Sequence, residues 1–143
     1  MTIAILGQGA IAGYVLQRID MGSVSAILTR PDKVAPLARP PRVACVGDLP
    51  QGTSLLLDCA GHRGLAEHGA AALRAGIDVL TLSIGALADK ALSRALEEAA
   101  RTGGARLRLA SGAIGGLDTL RAARVGGLSE VIYRGRKPAA GWL

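Results

Sequence analysis

Six residues near the start of the chain, Gly7-Gln8-Gly9-Ala10-Ile11-Ala12, narrow the choice of fold more than any other feature. They follow a wholly apolar run, Ile3-Ala4-Ile5-Leu6, and open a segment with Ile11, Val15 and Ile19 at i, i+4 and i+8. A short run with no polar position suits a strand covered on both faces, as in a parallel sheet. The spacing after it predicts a helix with one apolar face, ended by Gly22. Gly7 permits a tight turn out of the strand, Gly9 leaves the backbone open to a pyrophosphate, and Ala12 lets helix and strand pack closely. The helix opening at Ala10 and Ile11 then offers its free N–H groups to phosphate oxygens. A strand, this turn and an amphipathic helix in direct succession are the context that a dinucleotide site requires.

The rest of the chain repeats the alternation. Val24 to Leu28 predicts a second strand, which completes a βαβ unit. Pro31, Pro36, Pro40, Pro41 and Pro50 forbid a regular crossover helix, so residues 31–53 are expected to form an irregular connection, with a short extra strand at Arg42 to Val46. Ser54 to Asp58 predicts a third buried strand, Leu65 to Ala75 a helix closed by Gly76, and Asp78 to Leu82 a fourth strand. Asp89 reads as the N-cap of a helix striped by Leu92, Ala95, Leu96 and Ala99, which Gly103 and Gly104 stop. Arg106 to Ala110 alternates charged and apolar residues, the pattern of an edge strand with one wet face. A short helix is expected at Gly115 to Ala123 and a further strand at Glu130 to Arg134. The fold class is therefore α/β, a Rossmann-type doubly wound, mostly parallel sheet.

Composition excludes several functions. Half of the 143 residues are apolar, enough for a packed core, and no apolar run reaches the roughly 18 residues that span a bilayer. The N-terminus has no basic segment before its apolar stretch and reads as a strand, not a signal peptide, so a cytoplasmic protein with no membrane partner is expected. The net charge is +6, but the arginines are dispersed and aromatic residues amount to 2%. Bases would find no stacking platform, so a nucleic-acid partner is not expected and the positive charge suits small anions instead. Cys45 and Cys59 make neither a disulfide framework nor a metal-ligand spacing, and both are expected to be buried thiols.

The end of the second strand bears on the choice of cofactor. An NAD site commonly places an acidic residue there for the ribose hydroxyls. This chain has Thr29-Arg30-Pro31-Asp32-Lys33. Arg30 can stack on adenine and pair with a 2′-phosphate, and Lys33 adds charge. Binding of NADP at least as well as NAD is the expectation. The alternative is a solvated Arg30, with Asp32 reaching the ribose.

The loops after the later strands are rich in small residues: Ala60-Gly61-His62, Ser83-Ile84-Gly85-Ala86 and Ser111-Gly112-Ala113. Ligands of open α/β sheets lie beyond the carboxyl ends of the strands, so these loops are expected to converge near the nicotinamide half of the cofactor. Ala60, Gly61, His62, Ser83, Gly85 and Ala86 are the candidate contacts there. An unperturbed imidazole can exchange a proton near neutral pH, so His62 is a weak candidate acid or base. His68, within a helix, reads as a surface or boundary histidine.

Four blocks resemble the L-aspartate dehydrogenase family: Asp58-Cys59-Ala60-Gly61-His62, Ser83-Ile84-Gly85-Ala86-Leu87-Ala88-Asp89, Ser111-Gly112-Ala113-Ile114-Gly115-Gly116-Leu117-Asp118, and Gly135-Arg136-Lys137-Pro138. The third block argues against the homoserine dehydrogenase and dihydrodipicolinate reductase types, which share this kind of N-terminal domain. The resemblance implies oxidation of L-aspartate to iminoaspartate with NAD or NADP, or reductive amination of oxaloacetate, in the service of NAD biosynthesis. It also implies a contact from Ala113 to the nicotinamide carboxamide, and allows Lys137 to bind a substrate carboxylate. Asp58 stands where the family leads one to expect Glu.

The resemblance further implies a dinucleotide domain over residues 1–110 and the start of an incomplete substrate and catalytic domain over 111–143. The family's catalytic histidine and a cofactor-contacting asparagine are expected beyond Leu143; the chain contains no asparagine at all. Two classes of function remain, an aspartate dehydrogenase represented by its cofactor-binding portion and a non-catalytic dinucleotide module acting as sensor or partner subunit. An exposed strand at Glu130 to Arg134 would favour a homodimer.

Overall fold

Each strand of the sheet is parallel to its neighbours, and the strand order is set by where the helices cross. In a computed structural model, residues 1–111, 116–134 and 136 are described. They form β1 (Ile3–Leu6), α1 (Ala10–Leu16), β2 (Val24–Leu28), β3 (Arg42–Val43), β4 (Leu55–Asp58), α2 (His62–Arg74), β5 (Asp78–Thr81), α3 (Lys90–Gly103), β6 (Leu107–Leu109) and α4 (Leu117–Val125). The six strands make one sheet in the order β3-β2-β1-β4-β5-β6. The chain runs outward from β1 through β2 to β3, then returns to the other side of β1 with β4. The crevice between β1 and β4 is thus the topological switch point. This is the Rossmann-like α/β fold expected from the alternation.

Pairing keeps the carboxyl ends level. Leu6 lies beside Leu28 on one side and Asp58 on the other; Asp58 lies beside Thr81, and Thr81 beside Leu109. One row of residues therefore closes the top of the sheet, and the loops above it start from a common height.

The two-residue period of β1 divides its side chains between two cores. Ala4 and Leu6 join Leu56, Leu65, Leu73, Val79 and Leu96 on the face covered by α2 and α3. Ile3 and Ile5 join Ala12 on the other face, with Val15, Leu16 and Ile19 packed against them. All four residues of β1 are buried, as its unbroken apolar run requires. Asp89 caps α3, its Oδ1 accepting from the N–H groups of Ala91 at 2.8 Å and Leu92 at 3.3 Å. Gly104 ends the same helix in the left-handed conformation, φ +65°.

Several expectations are corrected. The face that α1 and the residues just after it turn to the sheet is Ala12, buried, with the partly buried Val15, Leu16 and Ile19, not Ile11-Val15-Ile19; Ile11 is 53% exposed. The helix ends at Leu16, and Gly22 sits in a separate turn where Asp20 Oδ1 accepts from its N–H. The extra strand is confined to Arg42–Val43, which pair with Ile27 and Leu28 of β2 before the chain turns at Val46–Asp48. Helix α2 starts three residues earlier than expected, at His62. Cys45 is exposed and its Sγ donates to Asp48 Oδ2 at 3.0 Å, while Cys59 is only half-buried. Both follow β-strand ends, where the chain leaves the core. Residues Glu130 to Arg134 are not a strand, for among the described residues no strand offers them backbone partners. The edge on which pairing of two copies was expected is therefore not formed. The expected edge strand is β6, which ends the sheet among the described residues.

The chain divides into two compact units, Met1–Gly112 and Ala113–Leu143. The first holds the sheet and both cores. The second contributes α4, two residues later than the helix expected from Gly115. No helix among the described residues is long and apolar enough to cross a membrane.

Candidate functional site

The loops above the carboxyl ends of β1, β2 and β4 enclose a cavity of about 700 Å³. That is within the few hundred to a thousand Å³ usual for small-molecule sites. Its floor is Leu6-Gly7-Gln8-Gly9, one wall is Thr29 to Lys33, and the other is Cys59-Ala60 with the first turns of α2.

The two glycines of the floor have different reasons to be glycine. Gly7 has φ +105°, and a Cβ there would lie 3.1 Å from Ala60 Cα and Cβ. The turn itself thus demands glycine, and the Gly7 N–H donating to the Leu28 carbonyl at 2.9 Å anchors it to β2. Gly9 has an ordinary φ of −77°, and a Cβ there would meet nothing within 4 Å. The fold does not need glycine at this position. The missing side chain leaves open space at the mouth of the cavity, next to the first-turn N–H groups of α1, which have no partners within the helix.

On the β2 side, Arg30 and Asp32 form an ion pair at 3.7 Å, both well exposed. A pair this accessible contributes at most about 1 kcal/mol and exchanges readily for an anionic ligand. Lys33 stands on the same wall. On the opposite wall α2 presents Arg63, Gly64, Glu67 and His68. His68 is largely covered, 15% exposed, with Nε2 3.7 Å from Glu67 Oε1. It is a boundary histidine, as expected, but one that faces the cavity. The Cys59 thiol, at the foot of the second wall, is pushed up to about 11 by burial and then by the negative charge of Asp58.

Of the sequence-derived candidates, Gly7, Gly9, Arg30 and Ala60 line this cavity together. Ala10 and Ile11 open α1 at its edge. Gly61 caps α2 with φ +81° and His62 is the first helical residue. Ser83, Gly85 and Ala86 stand farther along the row, above β5: Ser83 and Ala86 are buried, whereas Gly85 lies under the His62 ring. Ala113 and Lys137 lie outside the described residues. The reading from sequence missed Arg63, Gly64, Glu67 and His68. Their i, i+4 spacing as 63/67 and 64/68 would have put them on one helix face, had α2 been started at His62.

Residues 7–110 match the family described as the NAD-binding domain of homoserine dehydrogenase. The chain belongs to that family of NAD-binding domains. Its match covers the glycine turn, both walls of the cavity and the strands from β2 to β6. Over nearly the whole chain this NAD-binding domain is also similar to L-aspartate dehydrogenases, which bears out the resemblance carried by the four blocks. It is 51% identical to the L-aspartate dehydrogenase of Ruegeria pomeroyi over 98% of the chain and 52% of that relative. It is 42% identical to that of Pseudomonas aeruginosa over 100% of the chain and 57% of the relative. The chain thus spans about half the length of the curated relatives it matches. Among solved structures, the aspartate dehydrogenase of Thermotoga maritima has the same fold, with a TM-score of 0.68 and 24% identity, over 85% of this chain and 50% of the other.

Proposed function

We propose that this chain is the cofactor-binding portion of a nicotinamide-dependent L-aspartate dehydrogenase, acting in the cytoplasm on L-aspartate or oxaloacetate and serving NAD biosynthesis. In this reading residues 1–110 hold the dinucleotide and 111–143 begin the substrate domain. The observation that carries it is the open space at Gly9 over the β1–β4 switch point, where the fold leaves a side chain out without needing to. A dinucleotide cofactor fits this cavity in volume and in chemistry: backbone N–H groups for the pyrophosphate and cations for a phosphorylated ribose. Such a cofactor, when bound, accepts a hydride from the substrate carbon.

The chain's own residues divide the work. Gly7 and Gly9 bring backbone within reach of the pyrophosphate, with Ala10 and Ile11 opening the helix beside it. Arg30 and Lys33 hold the 2′-phosphate of NADP, so that NADP binds at least as well as NAD. Ala60, Gly61, His62, Ser83, Gly85, Ala86 and Ala113 border the nicotinamide half. His62 orients the ring side of the site and is a weak candidate for moving a proton.

Titrating NADH and NADPH into the purified chain, followed by their fluorescence, tests the reading. Micromolar binding of both is expected. Arg30→Ala should weaken NADPH by about 1–2 kcal/mol, the worth of a charge-assisted contact, and leave NADH within twofold. Unchanged NADPH affinity would transfer the ribose contact to Asp32, an alternative favoured by its ion pair with Arg30. Aspartate-dependent NADH formation by the chain would overturn the non-catalytic module, whereas binding without turnover is expected of the cofactor-binding portion alone.

A further inference from the structure

Asp58 is fully buried at the end of β4, and no cation is paired with it among the described residues. A buried carboxylate is costly, and an apolar residue such as its neighbour Leu56 would serve the sheet better. The hydrogen bonds that compensate it run to the loop that follows β4 and to the end of the neighbouring strand β5. Oδ1 accepts from the Ala60 N–H at 3.0 Å, in the loop after β4. Oδ2 accepts from the hydroxyl of Thr81 at 2.6 Å, the fully buried last residue of β5. The Thr81 oxygen in turn accepts from the Ser83 N–H at 2.8 Å, in the loop after β5. The direction of every bond in this chain is fixed, because the two loop amides can only donate and the carboxylate can only accept. At the rim the same two loops meet again: a Cβ on Gly85 would come within 2.8 Å of His62 Cε1 and Nε2.

We propose that Asp58 and Thr81 are positioning residues that lock the Ala60–His62 loop to the Ser83–Ala86 loop, and so preform the wall against which the nicotinamide half of a dinucleotide packs. The inference rests on the dinucleotide reading above. In a sheet of this order the adenosine half lies over β2 and the other half over β4 and β5, so only the second half meets both loops, while Ala60 alone also backs the Gly7 turn. The lock therefore acts on one end of the ligand. Asn at 58 would break it despite its matching shape, because the amide would donate to Thr81 and leave the hydroxyl proton without an acceptor.

NADH and ADP-ribose, which lacks the nicotinamide ring, separate the two ends. Thr81→Val and Asp58→Asn are expected to weaken NADH by about tenfold or more while leaving ADP-ribose within about twofold, and Thr81→Ser is expected to restore NADH binding. Equal losses for both ligands, or no loss for either, in a wild type that binds both would overturn the lock and leave the dinucleotide reading standing. A wild type that binds neither would overturn that reading and the lock with it. Should both variants fail to fold, amide exchange on the wild type decides. The Ala60 and Ser83 amides are expected to be as protected as the β4 and β5 cores before any ligand is added. Fast exchange that slows only with NADH would overturn a preformed wall.

Discussion

Gly9 and Gly7 show how the same residue type serves two ends within one turn. Gly7 is held by its backbone and by Ala60 at 3.1 Å, so its replacement strains the fold. Gly9 has an ordinary φ, and a Cβ there would meet nothing within 4 Å. Gly9→Ala is therefore expected to leave the melting temperature within about 1 °C and to weaken NADH at least about tenfold, as a methyl group enters the phosphate path. Thermal unfolding and fluorescence titration on the same sample check both halves. Cys59 makes a second test. Its thiol ionises near 11, against an ordinary 9.0, because burial and Asp58 disfavour the thiolate. At pH 8 an alkylating reagent is expected to modify the exposed Cys45 first and Cys59 slowly, measured by mass spectrometry of the digested protein. The folded state holds the Cys59 proton more tightly than the unfolded chain. Its contribution to stability is thus whole below pH 9 and lost as pH rises through 11. Urea unfolding of wild type against Cys59→Ala is expected to converge across that window.

At the scale of elements, local chemistry in the sequence announced most boundaries. Asp89 before an apolar stripe and Gly104 after it enclose α3 as expected. Asp89→Ala is expected to cost about 1 kcal/mol, the usual value of a lost N-cap. Leu96, fully buried between α2 and α3, is expected to cost about 3 kcal/mol as alanine. The contrast between a capping loss and a core loss is measured by urea unfolding of the two variants. Elements failed to match where the deciding contact was remote. Residues Glu130 to Arg134 have strand-like composition, yet a strand exists only with a partner. Ile11 has the right spacing for the apolar face of α1, but the sheet meets that helix at Ala12 and leaves Ile11 outside. The start of α2 lies at Gly61 and His62, without the side-chain cap that would have marked it.

For the whole molecule, charge and topology act together. A net charge of +6 favours anionic ligands at long range, and Arg30 and Lys33 bring part of it to the cavity. NADPH carries more negative charge than NADH. Its affinity is expected to fall more steeply between 50 mM and 500 mM salt, as screening shortens to a few ångströms. Parallel titration curves for the two would show that the cations do not reach the 2′-phosphate.

The chain's own order of residues determined the α/β class, the glycine turn, the Arg30 loop and the likeness to L-aspartate dehydrogenases. All of these rest on periodicity or on residues adjacent in sequence. Only the tertiary structure decided which loops share a wall. The face of α2 with Arg63 and His68 closes the cavity because β4 lies beside β1, and Asp58 reaches Thr81 because β5 lies beside β4 in register. Those partners are separated by many residues along the chain, and a hydrogen bond between them leaves no local pattern. The strand order that joins them follows from packing helices on both faces of one sheet, a property of the folded chain and not of any one segment.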